Sequence, residues 1–254
     1  MSMMHYNPYS LEGKTVLVTG AGSGIGRATA IECSKLGARM ILVDVNAEGL
    51  AATQADLDGP DREHLTFVVD LCDEAVVKDM VGVLPQIDGC SHNAGITNLV
   101  PIQFITSEEM ERIHRVNLYA PILLTKFLIK KKKLKRSSSI VFTASAGGVF
   151  CASVGNAIYA TSKCGIDAYM RTAALELAPK GIRCNSVNPG MVETPLIGRG
   201  QVSAEQHEKD KQNYPLGRYG KPEDIAHAIA FLLSDASSWM TGTALKIDGG
   251  FTLK

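Results

Sequence analysis

Short apolar runs alternate with helix-period segments along almost the whole chain, and this alternation constrains the fold more than any other feature. The runs "KTVLVT" (14–19), "RMILVD" (39–44), "LTFVVD" (65–70), "IDGCSHNAG" (87–95), "SIVFTAS" (139–145), "IRCNSVNPG" (182–190) and "ALKIDGG" (244–250) read as strands. They are apolar throughout, without the polar/apolar alternation of a half-exposed sheet. Burial on both faces follows, as in a parallel sheet covered by helices. Between them lie "GIGRATAIECSKLG" (24–37), closed by Gly37, a helical stretch beginning near Asn46, and a long helix from about Ser107 to Leu134. Two more helices are predicted, from Asn156 to Ala178 with a stop at Pro179, and over "KPEDIAHAIAFLLSD" (221–235). Strand–helix alternation of this kind predicts an α/β, doubly wound Rossmann-type parallel sheet of about seven strands flanked by helices.

With 254 residues, 45% hydrophobic and 20% charged, the chain can bury a sizeable core. No Pro/Gly/Ser-rich linker and no internal repeat divides it, so one domain over 1–254 is expected, with a tail at 1–10. The polar segment from about 194 to 220 falls after a late strand, where it would lie over the carboxyl-end crevice as a substrate lid. Lys plus Arg and Asp plus Glu both count 26. That balance provides no global field to recruit nucleic acid or an anionic membrane. No apolar stretch reaches membrane-spanning length, and "MSMMHYNPYSLEGK" lacks the core of a signal peptide. The six cysteines (33, 72, 90, 151, 164, 184) include no CxxC pair and read as reduced thiols, which with the preceding points predicts a soluble cytoplasmic protein. The six histidines (5, 64, 92, 114, 207, 227) lack metal-ligand spacing, and no metal is expected. The run "KKKKLKR" (130–136) reads as the cationic C-terminal end of the long helix, not as a nucleic-acid patch.

The first strand leads into "TGAGSGIG" (19–26). Gly20 allows a sharp turn. Gly24 and Gly26 clear side chains from where backbone approaches phosphate and helix approaches strand, and the helix N-terminus offers N–H groups to a pyrophosphate. Asp44 ends the second strand 18 positions after Gly26, where a carboxylate can accept hydrogen bonds from ribose hydroxyls. Its charge would repel a 2′-phosphate, and "DVNAEG" supplies no adjacent arginine to neutralise one, so NAD(H) is expected over NADP(H).

"YATSK" (159–163) places a tyrosine and a lysine one helical turn apart, on one helix face. Free tyrosine titrates near pH ~10, too high for efficient acid–base work near neutrality; bringing it to ~7 needs roughly 4 kcal/mol of preferential stabilisation of phenolate. A neighbouring ammonium is able to provide much of that. Ser145, ending the preceding strand, can donate to a substrate oxygen. Asn117 is a modestly unfavourable choice within a helix, which fits a functional placement.

In these motifs the chain resembles the short-chain dehydrogenase/reductase family in its simple single-domain form. The resemblance runs from about Leu11 to Phe251 and rests on "TGAGSGIG", "HNAG" (92–95), Asn117 in "VNLYAP", Ser145 in "IVFTASAGG", "YATSK", "NPG" (188–190) followed by Thr194, and "DGG" near the end. It implies a catalytic tetrad of Asn117, Ser145, Tyr159 and Lys163. It further implies that Asp70, with Leu71, contacts the adenine, and that Asn93, Ala94 and Gly95 support the central sheet and the adenosine ribose. Pro189, Gly190 and Thr194 would hold the nicotinamide, Lys163 would also bond its ribose, and Ser23 and Ile25 would join the glycines at the pyrophosphate. The implied partners are a small alcohol or ketone and further copies of the chain, as a homotetramer. Two positions depart from the family pattern: His92 stands where Asn is usual, and Phe142-Thr143-Ala144 where Asn-Ile-Ser is frequent. Both are expected to leave the tetrad untouched. Val149, Phe150, Cys151, Val154, Ile96, Met191 and Leu196 are the apolar residues expected around the substrate. The alternative within the class is an NADPH-dependent 3-oxoacyl-[acyl-carrier-protein] reductase; outside it, a non-catalytic nucleotide sensor, which would not need Tyr159 and Lys163.

Overall fold

A computed structural model of the chain describes residues 6–195 and 204–253. Seven strands, β1 (Thr15–Thr19), β2 (Arg39–Asp44), β3 (Leu65–Val68), β4 (Ile87–His92), β5 (Leu134–Thr143), β6 (Arg183–Pro189) and β7 (Ala244–Ile247), form one parallel sheet in the order β3-β2-β1-β4-β5-β6-β7. The chain reverses its direction of growth between β1 and β4, which opens a crevice at their carboxyl ends. The runs at 19–26, 92–95, 143–145 and 188–190, with Asp44, leave the sheet on this edge, while Asn117, Tyr159 and Lys163 lie on helical segments.

The helices are α1 (Gly24–Lys35), α2 (Ala47–Ala55), α3 (Glu74–Val83), α4 (Ser107–His114), α5 (Ala120–Lys130), a broken turn α6 (Ala146–Val149), α7 (Ala157–Leu177), α8 (Ala204–Lys211) and α9 (Pro222–Leu233). Local chemistry sets their starts. Asn46, Asp73 and Thr106 cap α2, α3 and α4 by accepting first-turn N–H groups, and Pro222 opens α9. Gly37, at φ +100°, takes the left-handed turn after α1.

Successive strand residues feed opposite layers. Leu17, Ile41, Val43, Ile140 and Phe142 pack with α3, α5 and α7 through Val77, Leu124, Phe127, Ile166 and Met170. Val16, Val18, Met40, Leu42 and Val141 pack with α1 and α9 through Ala30, Cys33, Ile225 and Ile229. Two-sided burial holds for β1 and the centre of β2, while β3, an edge strand, alternates and leaves Val68 exposed. All six cysteines are free; Cys33, Cys90 and Cys184 are buried, and burial pushes the Cys33 and Cys184 thiols up to about 12. Among the described residues no helix is long and apolar enough to cross a membrane, and no group of His, Cys, Asp and Glu could hold a metal ion.

Two expectations differ in detail. The helix expected over 107–134 is α4 and α5 joined by a π-helical segment, Arg115–Tyr119, and ends at Lys130. The lysine run then turns, with Lys132 at φ +55°, and enters β5 at Leu134. Lys133 donates to the carbonyls of Gly82 and Leu84, and Lys135 pairs with Asp88 at 2.8 Å. Its cations therefore serve the end of α3 and the start of β4. Of the segment at 194–220, residues 196–203, including Leu196, lie outside the described residues. Its base is pinned by Glu193 N–H donating to Gly220 O (2.8 Å) and Gly220 N–H donating to Met191 O (2.9 Å).

Candidate active site

The Gly-rich turn begins at Gly20 (φ +65°), where a Cβ would stand 2.8 Å from Ala94 N. A Cβ on Gly26 would meet Gly20 O at 2.1 Å, so helix and turn meet only because that position is bare. Gly24 (φ +53°) faces the Thr194 side chain. Ser23 precedes α1 in extended geometry and makes no side-chain cap, leaving the first-turn N–H groups around Ile25 to a ligand. Asp44 sits at the lip of this turn: one oxygen accepts from Gly22 N at 2.9 Å, the other from Asn46 N at 2.9 Å. An uncapped helix N-terminus with a carboxylate beside the loop fits a dinucleotide pyrophosphate and its ribose.

Asp70 is exposed, its carboxylate accepting from Cys72 N (2.9 Å), while Leu71 is buried next to the β4 end. Asn93 stitches three strands together. Its Nδ2 donates to Ser91 O and Ser91 Oγ, its Oδ1 accepts from Thr143 Oγ1 (2.7 Å), and its N–H donates to Thr19 Oγ1. Ala94 N–H also donates to Thr19 Oγ1 at 3.3 Å. Pro189 ends β6, and Gly190 N–H donates to Ile247 O (3.0 Å).

The four tetrad positions converge. Ser145 lies two residues past the end of β5; its Oγ accepts from Gly147 N (3.1 Å), and its hydroxyl is near enough to Tyr159 to act on the phenol's pKa. A Cβ on Gly148 would be 2.9 Å from Ala160, so close packing of the loop on α7 holds that pair together. Burial pushes the Tyr159 hydroxyl above its ordinary pKa, and Ser145 opposes this. Lys163 is buried, its Nζ 5.6 Å from the Tyr159 ring centre and donating to Thr143 O at 2.7 Å. Burial brings its pKa down to about 8. Asn117 lies within the π segment, where helical bonding is reset, a frequent mark of function. Its Nδ2 donates to Ile96 O (2.9 Å) and Ser162 Oγ (3.1 Å), and its Oδ1 accepts from Ile96 N (2.9 Å). Ser162 Oγ in turn donates to Tyr159 O (2.7 Å), tying Asn117 to α7 between the tyrosine and the lysine.

Two corrections follow. The ammonium stands beside the phenol ring and is held by its hydrogen bond to Thr143 O, and burial raises the tyrosine pKa there. Nor does the departure at His92 leave the tetrad's surroundings untouched: His92 lines a recess shared with Asn117 and Lys163, whereas Thr143 holds Lys163 through a carbonyl that any residue there would supply. Neither Thr19 nor Thr143 carries a role in the sequence reading. Their part is played through a strand-end hydroxyl and a carbonyl, and their position just before a Gly-rich turn and just before Ser145 is the only signal they carry. On the substrate side, Phe150, Val154 and Met191 are exposed and Ile96, Val149 and Cys151 half-buried near the Ser145 loop.

This sheet order, with a Gly-rich turn at the reversal and a Ser/Tyr/Lys group beside it, defines a dinucleotide-binding oxidoreductase. A family model described as enoyl-(acyl carrier protein) reductase matches residues 20–252. Levodione reductase of Leifsonia aquatica is 38% identical over 251 residues, 93% of each chain. A crystal structure of levodione reductase superposes with a TM-score of 0.88 at 36% identity, covering 95% of this chain and 98% of that one. Two further solved structures hold different dinucleotides. A chain from Agrobacterium tumefaciens assigned as a 2-deoxy-D-gluconate 3-dehydrogenase contains NADP (TM-score 0.86, 29% identity, 98% and 100% covered). The 3-ketoacyl-(acyl-carrier-protein) reductase of Brucella melitensis is complexed with NADH (TM-score 0.84, 32% identity, 96% and 100% covered). The chain belongs to the short-chain dehydrogenase/reductase family, and is an oxidoreductase of the alcohol–carbonyl type.

Proposed function

We propose that this chain interconverts a secondary alcohol and a ketone with NAD(H), using Asn117, Ser145, Tyr159 and Lys163. The observation that carries the reading is the meeting of Ser145, Tyr159 and the buried Lys163 ammonium, which stands 5.6 Å from the phenol ring centre, at the crevice. Gly20, Ser23–Gly26, Asp44, Asp70, Leu71, Asn93–Gly95, Pro189, Gly190 and Thr194 would hold a nicotinamide dinucleotide, which would supply or accept the hydride. The chain manages the proton. In reduction, Ser145 Oγ–H donates to the substrate carbonyl oxygen and Tyr159 delivers its hydroxyl proton to that oxygen as the C–O bond becomes an alcohol; oxidation reverses both transfers. Lys163 keeps a positive charge near the phenolate that results.

Asp44 supports NAD(H): its carboxylate already faces the Gly-rich turn, where a 2′-phosphate would meet like charge. The likeness to the 3-ketoacyl-(acyl-carrier-protein) reductase of Brucella melitensis favours a second reading, a 3-oxoacyl-[acyl-carrier-protein] reductase that would use NADPH. Exposed Met110 and Tyr119, on α4 and the π segment that pack with α7, support self-association, for which a tetramer is the expected form. Sedimentation as a monomer would contradict it. A screen of secondary alcohols with NAD+ and NADP+, and of ketones and 3-oxoacyl thioesters with NADH and NADPH, tests the reading. Oxidation of alcohols with NAD+ and reduction of ketones with NADH are expected, and a strong preference for NADP(H) would overturn the cofactor assignment.

A further inference from the structure

His92 closes β4 with its side chain buried, 5% exposed. The imidazole stacks on Phe142, centroids 4.8 Å apart and planes 11° from parallel. Its Nε2 lies 3.0 Å from Thr125 Oγ1 and 3.5 Å from Cys90 Sγ. Its Nδ1 has no hydrogen-bond partner in the protein. Leaving such a nitrogen dry costs roughly 1–3 kcal/mol. Burial lowers the His92 pKa to about 3, so the ring is neutral at physiological pH, and in either tautomer Nδ1 has one bond left to make.

The same ring lines a small recess with Thr19, Asn117, Thr143 and Lys163. The recess leaves about 10 Å³ for the centre of a water molecule, close to the ~10–15 Å³ that one water occupies, and a buried water needs two to four polar partners. Partners are at hand. Lys163 has three N–H donors, of which Thr143 O takes one. The point where a Gly95 Cβ would stand is 3.4 Å from both Asn117 Oδ1 and Lys163 Nζ, so one spot lies within reach of both atoms.

We infer that His92 Nδ1 holds a buried water that hydrogen-bonds the Lys163 ammonium, making His92 a positioning residue for the lysine. The water fills the unpaired bond of the imidazole and a second donor bond of Lys163, and keeps the ammonium aimed at the tyrosine side of the crevice. The consequence for turnover rests on the tetrad reading above; the water site itself does not.

Two substitutions separate this role from packing. Asn carries a polar atom on Cγ where histidine carries Nδ1, so His92→Asn keeps the recess-facing bond and gives up Thr125. Gln carries its amide one atom further out, so His92→Gln keeps Thr125 and gives up the recess. His92→Asn is expected to hold kcat near that of the parent. His92→Gln should lose about tenfold in kcat, the loss of one hydrogen bond worth roughly 1.4 kcal/mol, with the NADH KM unchanged. A purely structural role predicts the reverse order, because Gln retains more volume and the Thr125 bond; that order, or equal kcat for both variants, overturns the proposal. A high-resolution crystal structure of the parent protein should show water within hydrogen-bonding distance of both His92 Nδ1 and Lys163 Nζ, and a dry recess also overturns it. Because the crystallographic reading needs no turnover, failure of the alcohol–ketone assignment and failure of the water site are told apart.

Discussion

Lys163 Nζ stands 5.6 Å from the centre of the Tyr159 ring, one helical turn along α7, and donates a 2.7 Å hydrogen bond to Thr143 O. The lysine is thus held from the sheet, not by the tyrosine it serves. Burial works against charge on both partners, raising the pKa of the phenol and lowering that of the ammonium. The protein therefore presents a neutral phenol beside Ser145, ready to donate. Ionising that phenol for alcohol oxidation needs the positive charge of oxidised nicotinamide in addition to Lys163.

Tyr159→Phe removes one oxygen and leaves the ring that packs beside Lys163. Because the proton donor is lost, kcat should fall by about 10²–10⁴, the range general acid–base groups contribute. NADH affinity, followed by fluorescence titration, should stay within a factor of about three, since no dinucleotide contact of the Gly-rich turn changes. Substantial residual turnover would remove Tyr159 from its assigned role.

Lys163 carries a stability cost that pH can reveal. Its pKa drops from 10.5 to about 8, so at ~1.36 kcal/mol per unit the buried charge costs about 3 kcal/mol. The sign is that of a lowered basic group: the cost is fully present below pH 8, shrinks between 8 and 10.5, and disappears above. Lys163→Met should therefore be inactive yet melt higher than the parent at pH 6–7, with the advantage fading towards pH 10. Equal melting temperatures across that range would mean the ammonium is better solvated than its burial implies.

Asp44→Ala tests dinucleotide choice. The carboxylate accepts from Gly22 N and stands where it would face a ribose. Loss of one charge-assisted hydrogen bond is worth about 1.5–3 kcal/mol, so NADH should bind roughly tenfold to a hundredfold more weakly. The ratio of kcat/KM for NADH over NADPH should fall with it. An unchanged ratio would mean that selectivity lies elsewhere.

The sheet and its carboxyl-edge residues were legible because punctuation and strand composition are local signals: Gly20, Gly24 and Gly26 mark a turn, Asp44 a strand end, Pro179 a helix stop. The π segment at Arg115–Tyr119 was not, since a one-residue change of helical register leaves the apolar periodicity of 107–130 intact. The start of β5 inside the lysine run was hidden for another reason. Lys133 and Lys135 are stabilised there by the α3 carbonyls and Asp88, distant groups that no local propensity encodes. Thr143 escaped because it acts on Lys163 through a carbonyl, which every residue carries. His92 was visible as an oddity of type, and its consequence only in three dimensions.

Two glycines of similar appearance in sequence should answer alanine substitution with opposite signs. At Gly26 a Cβ would lie 2.1 Å from Gly20 O and 2.6 Å from Gly20 C, backbone atoms of a turn that cannot retreat without opening the β1–α1 junction. Gly26→Ala should cost more than the ~1–3 kcal/mol usual for overpacking, and weaken NADH binding with it. Gly82 lies on the exposed side of α3, where nothing stands within 4 Å of the added carbon and φ is not in the left-handed region. Gly82→Ala should stabilise by about 0.5–1 kcal/mol through the loss of unfolded-chain freedom and a better helix former, with kcat unchanged. Urea denaturation of the two variants measures both effects. A tolerated Gly26→Ala would mean that the Gly-rich turn is not packed against α1 as closely as the 2.1 Å approach requires.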